Sequence, residues 1–214
     1  MRISLTDAGK RFNRDWVFRH VDIELASGRR YALTGSNGSG KSTLLQLIGG
    51  IMEPSEGKVS VRRDEGTADA DEVFRHLSFC APYLELVEEM TGEEFLEFHR
   101  AFKPFVDGMS ASDVLERTDL CHAARKQIRN YSSGMRQRLK LAQSVLADTA
   151  ILLLDEPCTN LDEKGVDMYW ALIESHSEGR IVVIASNDAR EYKGCDEVLR
   201  MESWKPGGGV SLKS

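Results

Sequence analysis

The stretch GSNGSGKST, residues 35–43, constrains the fold of this chain more than any other feature. A short apolar run, YAL at 31–33, precedes it, and residues 41–48 follow it as a predicted helix that two glycines end. Glycines allow successive backbone N–H groups to point into one concavity, and the N-terminus of a following helix adds partial positive charge. A strand, a glycine-rich loop and a helix with the spacing G-x-x-x-x-G-K-S therefore predict a loop that binds phosphate groups.

Two side chains of this loop have a specific predicted role towards a nucleotide. Lys41 would reach the β- and γ-phosphates, and the Ser42 hydroxyl would ligate Mg²⁺. The predicted nucleotide-binding residues of the loop are Gly35, Ser36, Asn37, Gly38, Ser39, Gly40, Lys41, Ser42 and Thr43.

A second motif, ILLLDEP at residues 151–157, ends an apolar strand in two acids. Asp155 is placed to hold Mg²⁺, directly or through water, and Glu156 is a candidate to orient and polarise an attacking water. A solvated Asp-Glu turn is the simpler alternative. The functional interpretation is favoured, because the two acids end a continuously apolar strand in a chain that also has a phosphate loop. Many phosphate-loop enzymes share these two motifs, so the motifs alone leave the reaction open.

The order of predicted strands and helices indicates an α/β fold with a mostly parallel sheet. The apolar runs at 150–154 and 181–185 are typical of buried strands. Residues 1–6 and 17–25 are predicted as strands of a half-buried, antiparallel β portion at the N-terminus. Residues 84–131 show no strand pattern, so we expect a helical subdomain inserted into the sheet.

The length of the chain fits a single domain over residues 1–214. We expect its catalytic core to comprise about residues 1–83 and 148–214, and its helical subdomain to comprise about residues 84–147.

Three further stretches carry structural expectations only. Phe95, Phe98 and Phe102 occur at helical spacing, which we interpret as core packing. The acidic stretch DEGTADADE at 64–72 is predicted to be a solvated loop. The glycine-containing tail at 204–214 is predicted to be a frayed edge or a last hairpin.

Composition and charge narrow the class of protein. Hydrophobic residues are 41% and charged residues 29%, an ordinary balance for a globular domain. The net charge of −6 argues against binding to nucleic acid, which needs a basic face. No apolar run approaches the ~20 residues of a membrane span, and no leader opens the chain, so we do not expect secretion. The four cysteines form no C-x-x-C pair, so reduced cytosolic thiols are expected.

The segment YSSGMRQRLKLAQSVL, residues 131–146, resembles the signature of ATP-binding cassette (ABC) ATPases, usually written L-S-G-G-Q followed by Q-Q-R. It lies just before the acidic strand, as in that family. The run LDEPCTNLD at 154–162 is similar to the family's loop from the catalytic glutamate to an aspartate at the dimer seam, here Asp162. Phe12 matches the family's position for an aromatic residue that stacks on adenine. The chain has no guanine-reading N-K-x-D, which argues against a GTPase.

The resemblance implies a P-loop NTPase fold of the ABC type and an enzyme that hydrolyses ATP with Mg²⁺ to drive transport. It also implies two partners, a second ABC ATPase subunit (identical or different) and an integral-membrane permease. The Y-S-x-G-M form is similar to cassettes that pair with small export-type permeases. The chain would then be cytoplasmic and peripheral on the inner face of the cell membrane. The permease would dock near Pro82, Tyr83, Leu84 and the helix from Gly92.

The signature implies a second anion site. Ser132, Ser133 and Gly134 are predicted to open a helix, where N–H groups and a hydroxyl can bind an anion. In the family this site faces the γ-phosphate bound by the other cassette, so ATP joins two cassettes and hydrolysis releases them. Tyr131, Ser133 and Met135 depart from the consensus. Ser132 can also act as a simple helix N-cap, and both roles are compatible.

Two departures concern the positions that sense the γ-phosphate in the family. Pro82 occupies the place of a glutamine that follows the strand, and Asn187 occupies the place of a histidine at the end of the last strand. Asn187 can donate an amide N–H to a phosphate oxygen, but it carries no charge. We therefore expect slow rather than absent hydrolysis, because Glu156, Lys41 and Asp155 remain. The predicted catalytic residues are Glu156, Lys41 and Asn187. An ordinary turn residue is the alternative interpretation of Asn187.

Two other functions remain as alternatives. A stand-alone ABC ATPase that remodels nucleic acid or ribosomes usually has two cassettes, or long coiled-coil or zinc insertions, and this sequence has neither. A degenerate cassette could bind ATP as a structural switch without appreciable turnover. An ATPase assay separates that switch from a transport ATPase.

Overall fold

Two β-sheets form the centre of the fold. The structure, a computed structural model, describes residues 1–63, 66–68 and 70–206, without the side chains of residues 67, 68 and 70–72. Within these residues the strands are β1 Arg2–Phe12, β2 Asp15–Ala26, β3 Arg29–Thr34, β4 Glu56–Arg63, β5 Gly66–Ala68, β6 Leu77–Cys80, β7 Ile151–Asp155, β8 Ile181–Ala185 and β9 Glu197–Arg200.

The two sheets differ in strand direction. The first has the order β2-β1-β4-β5 with antiparallel pairs, and the second has the order β6-β7-β8-β3-β9 with parallel pairs. Every residue of β7 and β8 is buried, as continuous apolar runs require when both faces are covered. The predicted α/β fold, with a mostly parallel sheet and an N-terminal antiparallel portion, is confirmed.

The helices begin and end where local signals place them. α1 has the predicted bounds, and Thr91 and Glu94 form a capping box at the start of α3. Helices of the described residues are α1 Lys41–Ile48, α2 Ala70–Arg75, α3 Gly92–Phe102, α4 Ala111–Arg117, α5 Ser133–Val145, α6 Glu163–His176 and α7 Ala189–Tyr192.

The parallel sheet separates two hydrophobic cores. Side chains at 151, 153, 181 and 183 pack with the antiparallel sheet and α1. Their neighbours at 152, 154, 182 and 184 point to the opposite face and pack with α3, α4, α5 and α6. The alternation of side chains along a strand therefore joins both halves of the molecule through one sheet.

Helices fill the chain between β6 and β7. Residues 81–150 are all described, and they contain α3, α4, α5 and short 3₁₀ turns but no strand beyond isolated bridges. The boundaries of a helical subdomain at about residues 84 and 147 stay a prediction. In the part of the chain that the structure describes, no helix is long and apolar enough to cross a membrane.

Two structural expectations were wrong. Phe95 is buried at 7% exposure, but Phe98 and Phe102 are 51% and 72% exposed. Phe98 and Phe102 contact each other instead, with ring centroids 5.1 Å apart, and His99 is the residue of the last turn that stacks on Phe105. The loop predicted at 64–72 is wrong for residues 66–68 and 70–72, because β5 pairs with β4 and α2 begins at Ala70. Residues 64, 65 and 69 lie outside the described residues. A polar sequence can form an edge strand such as β5, because strand pairing uses backbone N–H and C=O groups that every such residue has.

Further differences concern the C-terminal tail, the lengths of two strands and the shortest elements. The expected frayed edge or hairpin at 204–214 lies outside the described residues from residue 207 onward. β1 and β2 are longer than predicted, and β9 and α7 were not predicted. Elements of four residues are too short to show a period in the sequence.

Candidate functional site

The phosphate loop joins β3 to α1 and needs its glycines. Gly35, Gly38 and Gly40 have φ angles of 152°, 75° and 102°, a region that residues with a Cβ rarely adopt. A Cβ at Gly35 would lie 2.7 Å from the Ser39 Oγ atom. A Cβ at Gly40 would overlap Val17 of β2. The Ser39 hydroxyl is buried without a hydrogen-bond partner among the described atoms, which is an unsatisfied polar group that a ligand in the loop could engage.

Lys41 lies across the mouth of this loop. The residue is 6% exposed, and its Nζ donates to the carbonyl oxygens of Gly35 at 2.8 Å and Ser36 at 3.4 Å. Both acceptors are neutral, so an anionic phosphate would be a stronger partner for this ammonium group.

Asp155, the last residue of β7, meets Ser42 at the start of α1. It is 2% exposed. Burial raises the pKa of the Asp155 carboxyl, the hydrogen bond with the Ser42 hydroxyl lowers it, the Glu156 carboxylate raises it and the Lys41 ammonium lowers it. A carboxylate and a hydroxyl in contact are the oxygen ligands that Mg²⁺ takes beside phosphate groups, so these residues fit that ion.

Glu156 has a strained backbone. Its φ angle is 43°, a left-handed conformation that costs a non-glycine residue on the order of 1–3 kcal/mol. Its N–H donates to the carbonyl of Ala185 on the neighbouring strand β8 at 2.8 Å. The chain therefore turns sharply directly after Asp155, and such conformations cluster at functional sites.

Asn187 contacts the phosphate loop directly. It lies two residues beyond β8, and its Oδ1 accepts from the Gly35 N–H at 3.2 Å. Its Nδ2 donates to the Asn37 Oδ1 at 2.9 Å. The structure thus brings the end of β8 to the loop, where the resemblance expects the γ-phosphate sensor.

The signature forms the start of α5. Ser132 is the N-cap, and its hydroxyl accepts from the Met135 N–H at 3.2 Å. Tyr131 is 5% exposed and donates its hydroxyl to the Ala123 carbonyl at 2.8 Å. The same hydroxyl occupies the space that a Cβ on Gly92 would need. The departure from leucine at position 131 therefore has a structural reason, because the tyrosine ties α5 to the start of α3.

The signature helix docks on the loop that follows Glu156. Gln137 is 3% exposed and donates to the Pro157 carbonyl at 2.6 Å. Arg138 contacts Asp162 at 3.1 Å, and Asp162 also caps α6 by accepting from the Gly165 N–H at 2.9 Å. The bond from the Gly165 N–H is the main cause of the lowered pKa of Asp162, and Arg138 adds to it.

The structure does not bring all predicted residues into one cluster. A Cβ on Gly134 would lie 3.2 Å from the Asn160 carbonyl oxygen, so the residues 132–134 border the loop 157–162 rather than the phosphate loop. Phe12 lies at the tip of the β1–β2 hairpin and is 48% exposed, with the Lys10 Nζ 5.5 Å from its ring centroid. The same hairpin borders the phosphate loop through Val17.

One buried acid near the site was missed in the sequence. Glu191, in α7, is 6% exposed, and its Oε1 accepts from the Cys158 N–H at 3.0 Å. It also has a hydrogen bond with the Ser186 side chain, beside Asn187. Burial raises the pKa of Glu191. A helix of four residues offers no periodic signal, so the sequence alone does not single out this carboxylate.

The chain is similar to proteins of one family along most of its length. The sequence profile described as ABC transporter matches residues 18–159. The daunorubicin resistance ATP-binding protein DrrA3 of Streptomyces coeruleorubidus is 30% identical over 192 residues, which are 88% of this chain and 61% of that protein. The cytochrome c biogenesis ATP-binding export protein CcmA of Rhizobium johnstonii is 31% identical over 204 residues, 92% of this chain and 94% of that protein.

Solved structures show the same fold. The dimeric structure of a post-hydrolysis state of the ATP-binding cassette MJ0796 bound to ADP and Pi matches with a TM-score of 0.80 at 24% identity, covering 92% of this chain and 93% of that chain. The two relatives differ in how much of their length this chain covers, which is less than two thirds of DrrA3 but nearly all of CcmA.

Proposed function

Because the chain belongs to the ABC transporter family, we propose that it is the ATPase subunit that powers a separate membrane permease. The chain is an ATP-binding and ATP-hydrolysing cassette. The observation that carries the proposed site is the convergence of Lys41, Asp155, Glu156 and Asn187 at the carboxyl ends of β3, β7 and β8. In parallel sheets ligands bind at this edge.

Each residue of this site has a proposed task. The loop 35–43 holds the phosphates with its backbone N–H groups, and Lys41 leaves its two carbonyl acceptors to bind the β- and γ-phosphates. Ser42 and Asp155 would hold Mg²⁺, which supplies positive charge against the phosphate oxygens when it is bound. Glu156 orients a water for attack on the γ-phosphorus and accepts its proton, while the bond from the γ-phosphorus to the β–γ bridging oxygen breaks and ADP leaves.

A second cassette completes the proposed site. Ser132, Ser133 and Gly134 open a helix of 13 residues, which presents N–H groups to an anion. Within one chain these residues border the loop 157–162, so a second copy or a related subunit must supply the signature that faces this phosphate loop. Asp162 lies in the loop that we assign to the seam between the cassettes. Phe12 would stack on adenine at the rim.

The permease has a candidate docking surface on this chain. Tyr83, Leu84 and Val87 are 51%, 39% and 44% exposed, and the exposed rings of Phe98 and Phe102 lie on α3. Apolar side chains on a surface mark sites of association. Docking here would hold the chain on the cytoplasmic face of the cell membrane. The name of CcmA, an export protein, supports an export direction.

We expect the tagged chain to be recovered from native membranes together with an integral-membrane protein. Leu84→Ser removes apolar contact area from the proposed docking surface, so this variant should release most of the permease while retaining ATP binding. Val198→Ser is the matched control, because Val198 is 47% exposed on β9, at the other edge of the sheet. Recovery of the chain without any membrane protein, or equal losses in both variants, would contradict the proposal.

A second candidate function, a slow cassette that acts as an ATP-binding switch, is favoured by Pro82 and Asn187. Pro82 has no side-chain amide where the resemblance expects a glutamine. Asn187 has an amide but carries no charge where the resemblance expects a histidine. Steady-state ATPase measurement distinguishes the two functions, because a switch shows binding without turnover above that of Glu156→Gln.

We expect Asn187→His to raise turnover by about tenfold. A protonated imidazole makes a charge-assisted bond to a phosphate oxygen that exceeds a neutral amide bond by about 1–2 kcal/mol. The measurement is kcat for ATP, with Asn187→Ala as the comparison that removes the side-chain amide, both its N–H donor and its acceptor oxygen. No gain, or a loss, in the histidine variant would count against the assignment of Asn187 to the γ-phosphate.

A further inference from the structure

The loop after β6 lies beside the acidic strand end. Cys80 pairs with Leu154, so Ala81 lies abreast of Asp155, and Pro82 follows at the place where a glutamine is expected. Proline has neither an N–H nor a side-chain amide. The Pro82 carbonyl accepts from the Lys140 Nζ at 2.9 Å, which fixes this turn to α5. Pro82 therefore holds the loop in place but offers no donor to the site.

Its neighbour Tyr83 makes a side-chain hydrogen bond to α1, which Pro82 cannot make. The Gln46 Nε2 donates to the Tyr83 hydroxyl oxygen at 2.8 Å. Gln46 lies on α1 one helical turn after Ser42, and residues four apart share a helix face. The ring of Tyr83 also packs at a tilt on Phe79 of β6, with centroids 6.4 Å apart. Burial raises the pKa of Tyr83, the hydrogen bond from Gln46 lowers it, and the Asp155 charge raises it.

These contacts leave Tyr83 with one hydrogen-bond function unused. Its hydroxyl accepts from Gln46, and its own proton remains available for an acceptor. The residue is at the same time 51% exposed, and Leu84 and Val87 in the same loop are also exposed. Tyr83 therefore contacts α1, which begins at the phosphate loop, and is also part of the exposed surface that we propose for docking of the permease.

We propose that Tyr83 is a positioning residue that replaces the missing glutamine, linking the loop 82–87 to α1 through Gln46. The proposal rests on the proposed ATPase function of the site. A shift of the loop would move Gln46, and the movement would reach Ser42 through one turn of a rigid helix. The link explains how a proline is tolerated at position 82, since the polar contact moves one residue along the chain.

The test combines Tyr83→Phe, Gln46→Met and the double variant. Each single change removes the hydrogen bond and leaves the packed volume almost unchanged. We expect each to lower kcat by roughly three- to tenfold with an unchanged KM for ATP, and the double variant to be no slower than either single variant. Two further readouts are the dissociation constant of a fluorescent ATP analogue, measured without turnover, and the melting temperature. Both should stay near the wild-type values.

A rescue separates replacement from simple packing. Adding Pro82→Gln to Tyr83→Phe should recover at least half of the lost kcat, because the glutamine amide returns to the expected place. Tyr192→Phe, a partly buried tyrosine on α7, is the control and should leave kcat unchanged. Unchanged kcat in Tyr83→Phe, additive losses in the double variant, or no recovery with Pro82→Gln would each overturn the proposal. Failure of the wild-type chain to hydrolyse ATP would instead contradict the proposed function.

Discussion

Glu156→Gln is expected to bind ATP normally, to lose almost all hydrolysis and to accumulate as a dimer. The amide keeps the size of the side chain but cannot accept a proton from water, and general-base catalysis contributes roughly 10²–10⁴-fold to a rate. ATP that is bound but not hydrolysed would hold two chains together at the signature of each. The measurements are steady-state ATPase activity and size-exclusion chromatography with saturating Mg-ATP.

Glu163→Gln provides the matched control for this variant. Glu163 is the exposed first residue of α6, so its loss of charge should change neither turnover nor the elution volume. A monomer of Glu156→Gln under saturating Mg-ATP would contradict the dimer mechanism. Turnover near that of the wild type would remove Glu156 from the role of base.

Lys41→Ala should lower the affinity for ATP by roughly 10–100-fold, since a hydrogen bond to a charged group contributes about 1.5–3 kcal/mol. The lysine is 6% exposed and already lies over the loop, so its loss removes the positive charge from the centre of the phosphate site. Alanine favours a helix, so α1 should remain folded. The measurement is the dissociation constant of a fluorescent ATP analogue.

Lys164→Ala is the control for the lost charge, because Lys164 is exposed on α6. Its affinity for the analogue should equal that of the wild type, and the melting temperatures of both variants should agree. Equal affinity of Lys41→Ala and the wild type would show that the loop binds phosphate through its backbone alone.

The sequence was most informative where local chemistry leaves few choices. The bounds of α1 and β8 and the positions of Asp155 and Glu156 follow from glycine geometry and from buried apolar runs. The ABC-type fold was also correct, because the signature, the phosphate loop and the acidic strand end have fixed order and spacing. The roles assigned to individual site residues stay predictions.

Contacts between distant positions could not be predicted. Asn187 meets Asn37 across 150 residues, and Tyr83 meets Gln46 across 37. Neither pair has a pattern in the chain, because tertiary packing alone brings these side chains together. The same limitation explains Phe98 and Phe102, since a helical period indicates which residues share a face but not how far a neighbour covers it.

The close approach of Tyr131 to Gly92 gives the molecule a steric constraint between its two proposed partners. Gly92 begins the helix that we propose to face the permease, and Tyr131 precedes the signature that we propose to face a second cassette. No side chain fits between them, so a displacement of the start of α3 is transmitted directly to Tyr131. In the proposed assembly, a permease that moves this helix would displace the signature at the neighbouring cassette's γ-phosphate in the same movement, and a side chain at position 92 would alter that coupling.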